Sequence, residues 1–238
     1  MKILYKIYLT LQNLYKKIII QDKYYSFSGV DIVLKKIFYQ QEKGFYIDVG
    51  CQNPIKNNNT YLLYKKGWEG INIDLDEDNI NLFNSARPND INFNKAVSSD
   101  VKEVELYFYH KKSPINTIDK KISEFQKAKV TSVKKITTDT LNNIISNTKY
   151  KNRIFDLLSI DVEGHELEVL KGFDLNKYSP KVIVVEYLDL NVSKLEIKNL
   201  STENVFNSEI YKYLVSKNYI LVNNIYCDLV FINKNFRD

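Results

Sequence analysis

Apolar residues recur along this chain in two different rhythms, and the rhythm changes near residue 44. In the first twenty residues Leu4, Ile7, Leu11, Leu14 and Ile18 follow one another at spacings of 3, 4, 3 and 4. Lys2, Lys6, Thr10, Asn13 and Lys17 fall on the opposite side. Such spacing predicts an amphipathic helix. Lys6, Lys16 and Lys17 interrupt the apolar run, so it reads neither as a signal peptide nor as a membrane span. Its stripe needs cover from the chain's own core, from a second subunit, or from an anionic membrane surface met by Lys and Tyr. A second helix is expected over residues 29–41, with Ser28 and Asp31 at capping-box spacing and Val33, Leu34, Ile37 and Phe38 facing inward.

From residue 45 onward, short apolar runs alternate with helical patterns. Phe45–Gly50 reads as a buried strand closed by glycine, Thr60–Lys66 as a helix ended by Gly67, and Gly70–Leu75 as a second strand. Glu77–Arg87 is a helix stopped by Pro88, and Ile91–Val97 a third strand. Strand–helix–strand repeats with short connections predict a parallel sheet with right-handed crossovers. Glu103–Tyr109 alternates like an additional strand. His110–Lys129 is polar and weakly periodic, a mobile loop holding at most one short helix. Thr138 is expected to cap a helix through Ile145. Phe155–Ile160 and Lys181–Glu186 read as the fourth and fifth parallel strands, with a helix over Glu166–Leu170 between them. Asn207–Ser216 reads as a helix, and Tyr219–Asn223 with Asp228–Ile232 as a closing antiparallel pair. The division is an N-terminal helical extension, residues 1–43, and one α/β domain, residues 44–238.

Composition narrows the classes. The chain has 238 residues, 44% hydrophobic and 26% charged, which excludes a wholly disordered chain. Two cysteines, Cys51 and Cys227, exclude a disulfide scaffold and read as reduced thiols of a cytoplasmic protein. The net charge of +5 resides entirely in residues 1–40, which hold seven Lys and two Asp, so the body has no basic stripe for nucleic acid.

Candidate chemistry gathers at the carboxyl ends of the expected strands, where open α/β sheets bind ligands. Asp48, Asp74, Asp161 and Glu186 all stand there. Gly50 opens the first strand-to-helix turn, and Asp74 ends the second strand, where an acid holds the hydroxyls of a ribose. No G-x-G-x-x-G or G-x-x-x-x-G-K-[ST] run is present to cradle a phosphate. A ribose acid without a cradle fits an unphosphorylated nucleoside such as S-adenosylmethionine, with a dinucleotide as the alternative.

Several blocks carry a resemblance. They are Phe45–Gly50 with Pro54 and Asn59-Thr60, Lys66-Gly-Trp-Glu-Gly-Ile-Asn-Ile-Asp74, and Ile136-Thr-Thr-Asp-Thr-Leu141. Asp156-Leu-Leu-Ser-Ile-Asp-Val-Glu-Gly-His-Glu166, with Leu170-Lys-Gly-Phe173, is the most specific. Together they resemble the FkbM family of S-adenosylmethionine-dependent methyltransferases. The resemblance implies a Rossmann-like class I methyltransferase fold, a mostly parallel seven-stranded sheet with an antiparallel final strand. It also implies methyl transfer to an oxygen, commonly of a sugar or glycoconjugate.

On that basis Asp48 and Gly50 frame the methionine part of the donor. Asn59 and Thr60 offer helix N–H groups to its carboxylate. Asp74 holds the ribose, and Asn94 contacts adenine. Asp161, Glu163 and His165 serve the acceptor, with Glu163 or His165 as the base and Asp161 also near the donor. The bland alternative leaves His165 and Glu166 as the start of a helix. A divalent cation on Asp161 and Glu186 would hold a diol acceptor. His110 is expected to be solvated and Trp68 to pack. The competing functions are a nucleotide-dependent oxidoreductase and a non-catalytic adaptor that recruits a partner, another copy or a membrane through residues 1–20.

Overall fold

The computed structural model describes every residue except 1, 2, 5, 9, 12–22, 112, 127, 193 and 238. In chain order the strands are β1 (Phe45–Val49), β2 (Glu69–Asp74), β3 (Ile91–Asn94), β4 (Ala96–Val97), β5 (Glu103–Phe108), β6 (Ser132–Asp139), β7 (Leu157–Ile160), β8 (Val182–Glu186), β9 (Tyr219–Ile225) and β10 (Asp228–Asn233). The helices are α1 (Val30–Ile37), α2 (Tyr61–Lys65), α3 (Glu77–Ala86), α4 (Lys120–Phe125), α5 (Leu141–Ser146), α6 (Glu166–Lys171), α7 (Leu175–Tyr178), α8 (Thr202–Asn207) and α9 (Glu209–Ser216).

Seven strands form the main sheet in the order β3-β2-β1-β7-β8-β10-β9. The first five are mutually parallel, and β10 runs antiparallel to both β8 and β9. The expected mostly parallel α/β sheet with a reversed final strand is therefore present. β1 sits centrally and is buried throughout. Its side chains alternate between faces: Phe45, Ile47 and Val49 join the larger core beside α5, α6, α7 and α9. Tyr46 joins the opposite core with Val30, Leu34 and Phe38 of the α1 region, Leu63 and Trp68. Trp68 packs as expected, at 4.8 Å from the Phe38 ring centroid.

Residues 30–38 are thus built into the body of the domain. The N-terminal stretch is different. Its described residues are helical, but Leu4, Ile7 and Leu11 are 74%, 51% and 60% exposed, so that part of the stripe has no cover from the chain's own core. Leu14 and Ile18 lie outside the described residues. Among the described residues no helix is long and apolar enough to cross a membrane.

Three local expectations need correction. Ile91–Val97 is not one strand: β3 pairs with β2, while β4 leaves the main sheet and pairs with β6 in a small β4-β6-β5 sheet. Thr138 does not cap a helix. It lies in β6, its hydroxyl donating to the carbonyls of Asp100 and Lys102, and the cap of α5 is Thr140, whose Oγ1 accepts from Asn143 N. As expected, the segment 110–129 holds one short helix among its described residues, α4, capped by Asp119; it also makes a bridge from Thr117 to Tyr107. The capping box at Ser28 is not formed: Gly29 is the N-cap of α1, Ser28 Oγ bonds Asp228, and Asp31 accepts instead from Ser26 Oγ and Tyr25 N.

Candidate active site

At the carboxyl ends of β1, β2 and β7 the sheet opens into a cleft of about 730 Å³ including its mouth. Gly50 turns the chain out of β1 with φ of +78°. A Cβ there would lie 1.7 Å from the carbonyl oxygen of Asp161, so the glycine serves the packing of two strand ends against each other. Gly50 also lines the cleft.

Asp74 ends β2 and lines the cleft. Its Oδ2 accepts from Gln52 N at 2.8 Å, and its Oδ1 accepts from Asp76 N at 2.8 Å and Asn79 Nδ2 at 3.2 Å. Burial pushes the carboxyl from 3.8 up to about 6, against the pull of those three donors. Ile73, Ala96, Val97 and Ile118 supply apolar wall. Among the described lining residues Lys95 is the only Lys or Arg, and it pairs with Asp139 at 3.7 Å. None of these described residues matches a pyrophosphate, whereas an acid over apolar walls fits an adenosyl group.

The cleft is also lined by the loop from Asp161 to His165, all of whose lining side chains are polar except Val162. Glu163 has φ of +56° and Gly164 φ of +97°, a left-handed pair that is costly for glutamate. The loop is tied from within and without. Glu166 Oε1 accepts from Val162 N and Gly164 N, and the Thr117 hydroxyl donates to the Glu163 carbonyl at 2.7 Å. Glu166 therefore braces the loop, its carboxyl raised by burial to about 7.

Burial and the neighbouring Asp228 and Glu166 charges push Asp161 up to about 8. Glu163 is raised by burial and by Asp161, and Glu186 by burial and by Asp161 and Glu163. His165 moves the other way: burial lowers its pKa, which keeps the ring neutral near pH 7. Its Nε2 lies 2.9 Å from the hydroxyl of Ser98, a fully buried residue.

The structure brings Gly50, Asp74, Asp161, Glu163 and His165 around one cleft, and leaves Asp48, Asn59, Thr60 and Asn94 outside its lining. Asp48 is buried and accepts from Thr60 Oγ1 and Asn58 Nδ2. Asn59 Nδ2 donates to Ser159 Oγ, and Thr60 N donates to Asn58 Oδ1. Asn94 donates to the Asp74 carbonyl. Behind this group the fully buried Arg87 donates to Thr60 Oγ1, Asn58 Oδ1 and Pro54 O.

Sequence reasoning did not flag Asp76, Asn79, Ser113, Asn116 or Ser98. Asp76 caps α3, and the D-x-D spacing from Asp74 was a usable signal. Ser113 and Asn116 come from a loop without periodicity, which offered none.

The family model described as the methyltransferase FkbM domain matches residues 48–221. No curated protein matches the chain in sequence. Among solved structures, it is similar to a TehB-like SAM-dependent methyltransferase from Corynebacterium glutamicum ATCC 13032 Kitasato, with a TM-score of 0.44 and 11% identity over 96% of this chain and 97% of that one. It is similar to an O-methyltransferase from Bacillus cereus in complex with SAH, with a TM-score of 0.47 and 10% identity over 94% and 97%. It is also similar to monomeric WbdD, with a TM-score of 0.45 and 12% identity; the match covers 93% of this chain but only 44% of that one.

Proposed function

This chain belongs to the FkbM methyltransferase family, and from that premise we propose that it moves a methyl group from S-adenosylmethionine to a hydroxyl of a carbohydrate or glycoconjugate acceptor. The observation that carries the reading is that one cleft joins an acid at the tip of β2, apolar wall and a neutral histidine among carboxyl groups; among its described lining residues the only Lys or Arg is Lys95, paired with Asp139.

The donor, when bound, presents an electrophilic methyl on sulfonium sulfur. The acceptor oxygen forms the new C–O bond as the C–S bond breaks, its electron pair leaving to sulfur. Asp74 holds the ribose hydroxyls through the lone pairs its three present donors leave free. His165 receives the acceptor's proton. With Nε2 engaged by Ser98, Nδ1 is the ring nitrogen available, which requires the tautomer whose Nε2–H donates to Ser98 Oγ. Glu163 is the poorer base, because burial and Asp161 favour its protonated form. Ser113, Asn116 and Glu163 supply the hydrogen-bonding edge that a polyol needs.

The test is transfer of labelled methyl from the donor to a panel of free sugars, nucleotide-linked sugars and simple phenols. Label on sugars, with turnover lowered ~10²–10⁴-fold in His165→Ala and donor affinity kept, is the expected result. Label on phenols alone rejects the carbohydrate acceptor. Full turnover in His165→Ala rejects the histidine base.

A further inference from the structure

The acidic loop and the end of β8 hold more carboxyl groups than proton removal needs. Asp161, Glu163 and Glu186 each offer an oxygen within 4.8 Å of the other two. Small rotations of the three side chains bring such oxygens to the spacing that one hard cation needs, since its bonds to oxygen are about 2.0–2.6 Å long. The charged groups acting most on the three are acids: Asp228, Glu166, Asp48 and one another. Among the described residues none of these three forms an ion pair with Lys or Arg.

A second observation is independent of the clustering. Glu186 Oε2 is buried and meets no hydrogen-bond partner. Leaving a buried carboxylate oxygen unmet is costly. At the edge of the cluster Gln126, whose Nε2 donates to Glu163 Oε2, leaves its own Oε1 buried and unmet as well. Asp161 and Glu186 also share a hydrogen bond, and the orphaned Glu186 oxygen beside acids with no Lys or Arg partner among the described residues calls for a cation.

We propose that Asp161, Glu163 and Glu186 bind one hard divalent cation, magnesium or manganese, whose remaining positions take two adjacent oxygens of the acceptor. The ligand set is all oxygen, which selects such ions over zinc or copper. The proposal rests on the methyltransferase reading for its purpose, since a vicinal diol or α-hydroxy acid held this way is oriented toward the donor methyl. It divides the labour in the cleft: the carboxylates hold the cation, and His165 keeps the proton transfer.

The competing account is that the three groups share protons and bind no metal. Titration of the purified chain with manganese at pH 7.5, followed by loss of the free-ion electron paramagnetic resonance signal, separates the two. The expected result is one saturable site per chain, weakened at least ~10-fold in Asp161→Asn and in Glu186→Gln. Should either variant fail to fold by circular dichroism, Glu163→Gln carries the same expectation. No binding up to millimolar manganese, or binding that none of the variants weakens, overturns the proposal. Titration of the same samples with S-adenosylhomocysteine keeps the two readings apart: binding of S-adenosylhomocysteine without manganese removes the cation alone, and binding of manganese without S-adenosylhomocysteine removes the donor reading.

Discussion

Asp74 is where chemistry and stability meet in one side chain. It was legible from position alone, as an acid at the end of the second strand. Asp48 looked equivalent in the sequence but is not, because the fourth residue of β1 points its carboxyl into the Thr60–Asn58–Arg87 network rather than the cleft. Spacing along a strand identifies the edge; it does not reveal which neighbour reaches a side chain first. Asp74→Ala is expected to weaken S-adenosylhomocysteine binding by about 1.5–3 kcal/mol, read by calorimetry on folded protein. Unchanged affinity would remove the ribose assignment. The raised carboxyl also sets a pH dependence. Its stabilising contribution to the ligand-free protein is present below about pH 4, the unfolded value, and is lost as pH rises through about 6. The loss amounts to at most about 3 kcal/mol. Thermal unfolding at pH 5.0 and 7.5 should show a steeper decline in the wild type than in Asp74→Asn. Parallel slopes would mean that Asp74 does not titrate in this range.

Among the elements, strands whose apolar runs are continuous were readable, and pieces joined by polar contacts were not. β6 carries Lys134, Lys135, Thr137 and Thr138 in a mostly solvent-facing strand, so its pattern lacks the buried alternation that marks β1 or β8. Arg87 looked like the polar end of a helix, yet it is fully buried because Pro54 O, Asn58 and Thr60 take its donors. Those partners are 27 to 33 residues away, beyond any local pattern. Gly50 joins β1 to β7 by contact, and its replacement gives the element-level test. Gly50→Ala forces a positive φ and a Cβ onto a backbone carbonyl that cannot swing aside. The expected outcome is a loss of more than ~3 kcal/mol in urea unfolding, or insoluble protein. A variant of wild-type stability would mean that the two strand ends can separate freely.

For the molecule as a whole, alternation of strand and helix announced the parallel half of the sheet, and the family resemblance announced the reversed last strand. Insertion of β10 between β8 and β9 has no local signature, since it is a matter of pairing rather than of pattern. The N-terminal stripe was readable as a helix, but not what it faces. Because Leu4, Ile7 and Leu11 are exposed, removing residues 1–20 is expected to leave the thermal midpoint within about 2 °C of the full chain. A fall beyond about 5 °C would mean that the stripe contributes to the body's core after all. The central claim concerns the ligand that the sheet edge receives. Parallel calorimetric titrations of the full chain with S-adenosylhomocysteine and with NAD test it most directly. The account predicts saturable one-to-one binding of S-adenosylhomocysteine, lost or weakened in Asp74→Ala, and no binding of NAD; saturable NAD binding with none for S-adenosylhomocysteine would contradict it.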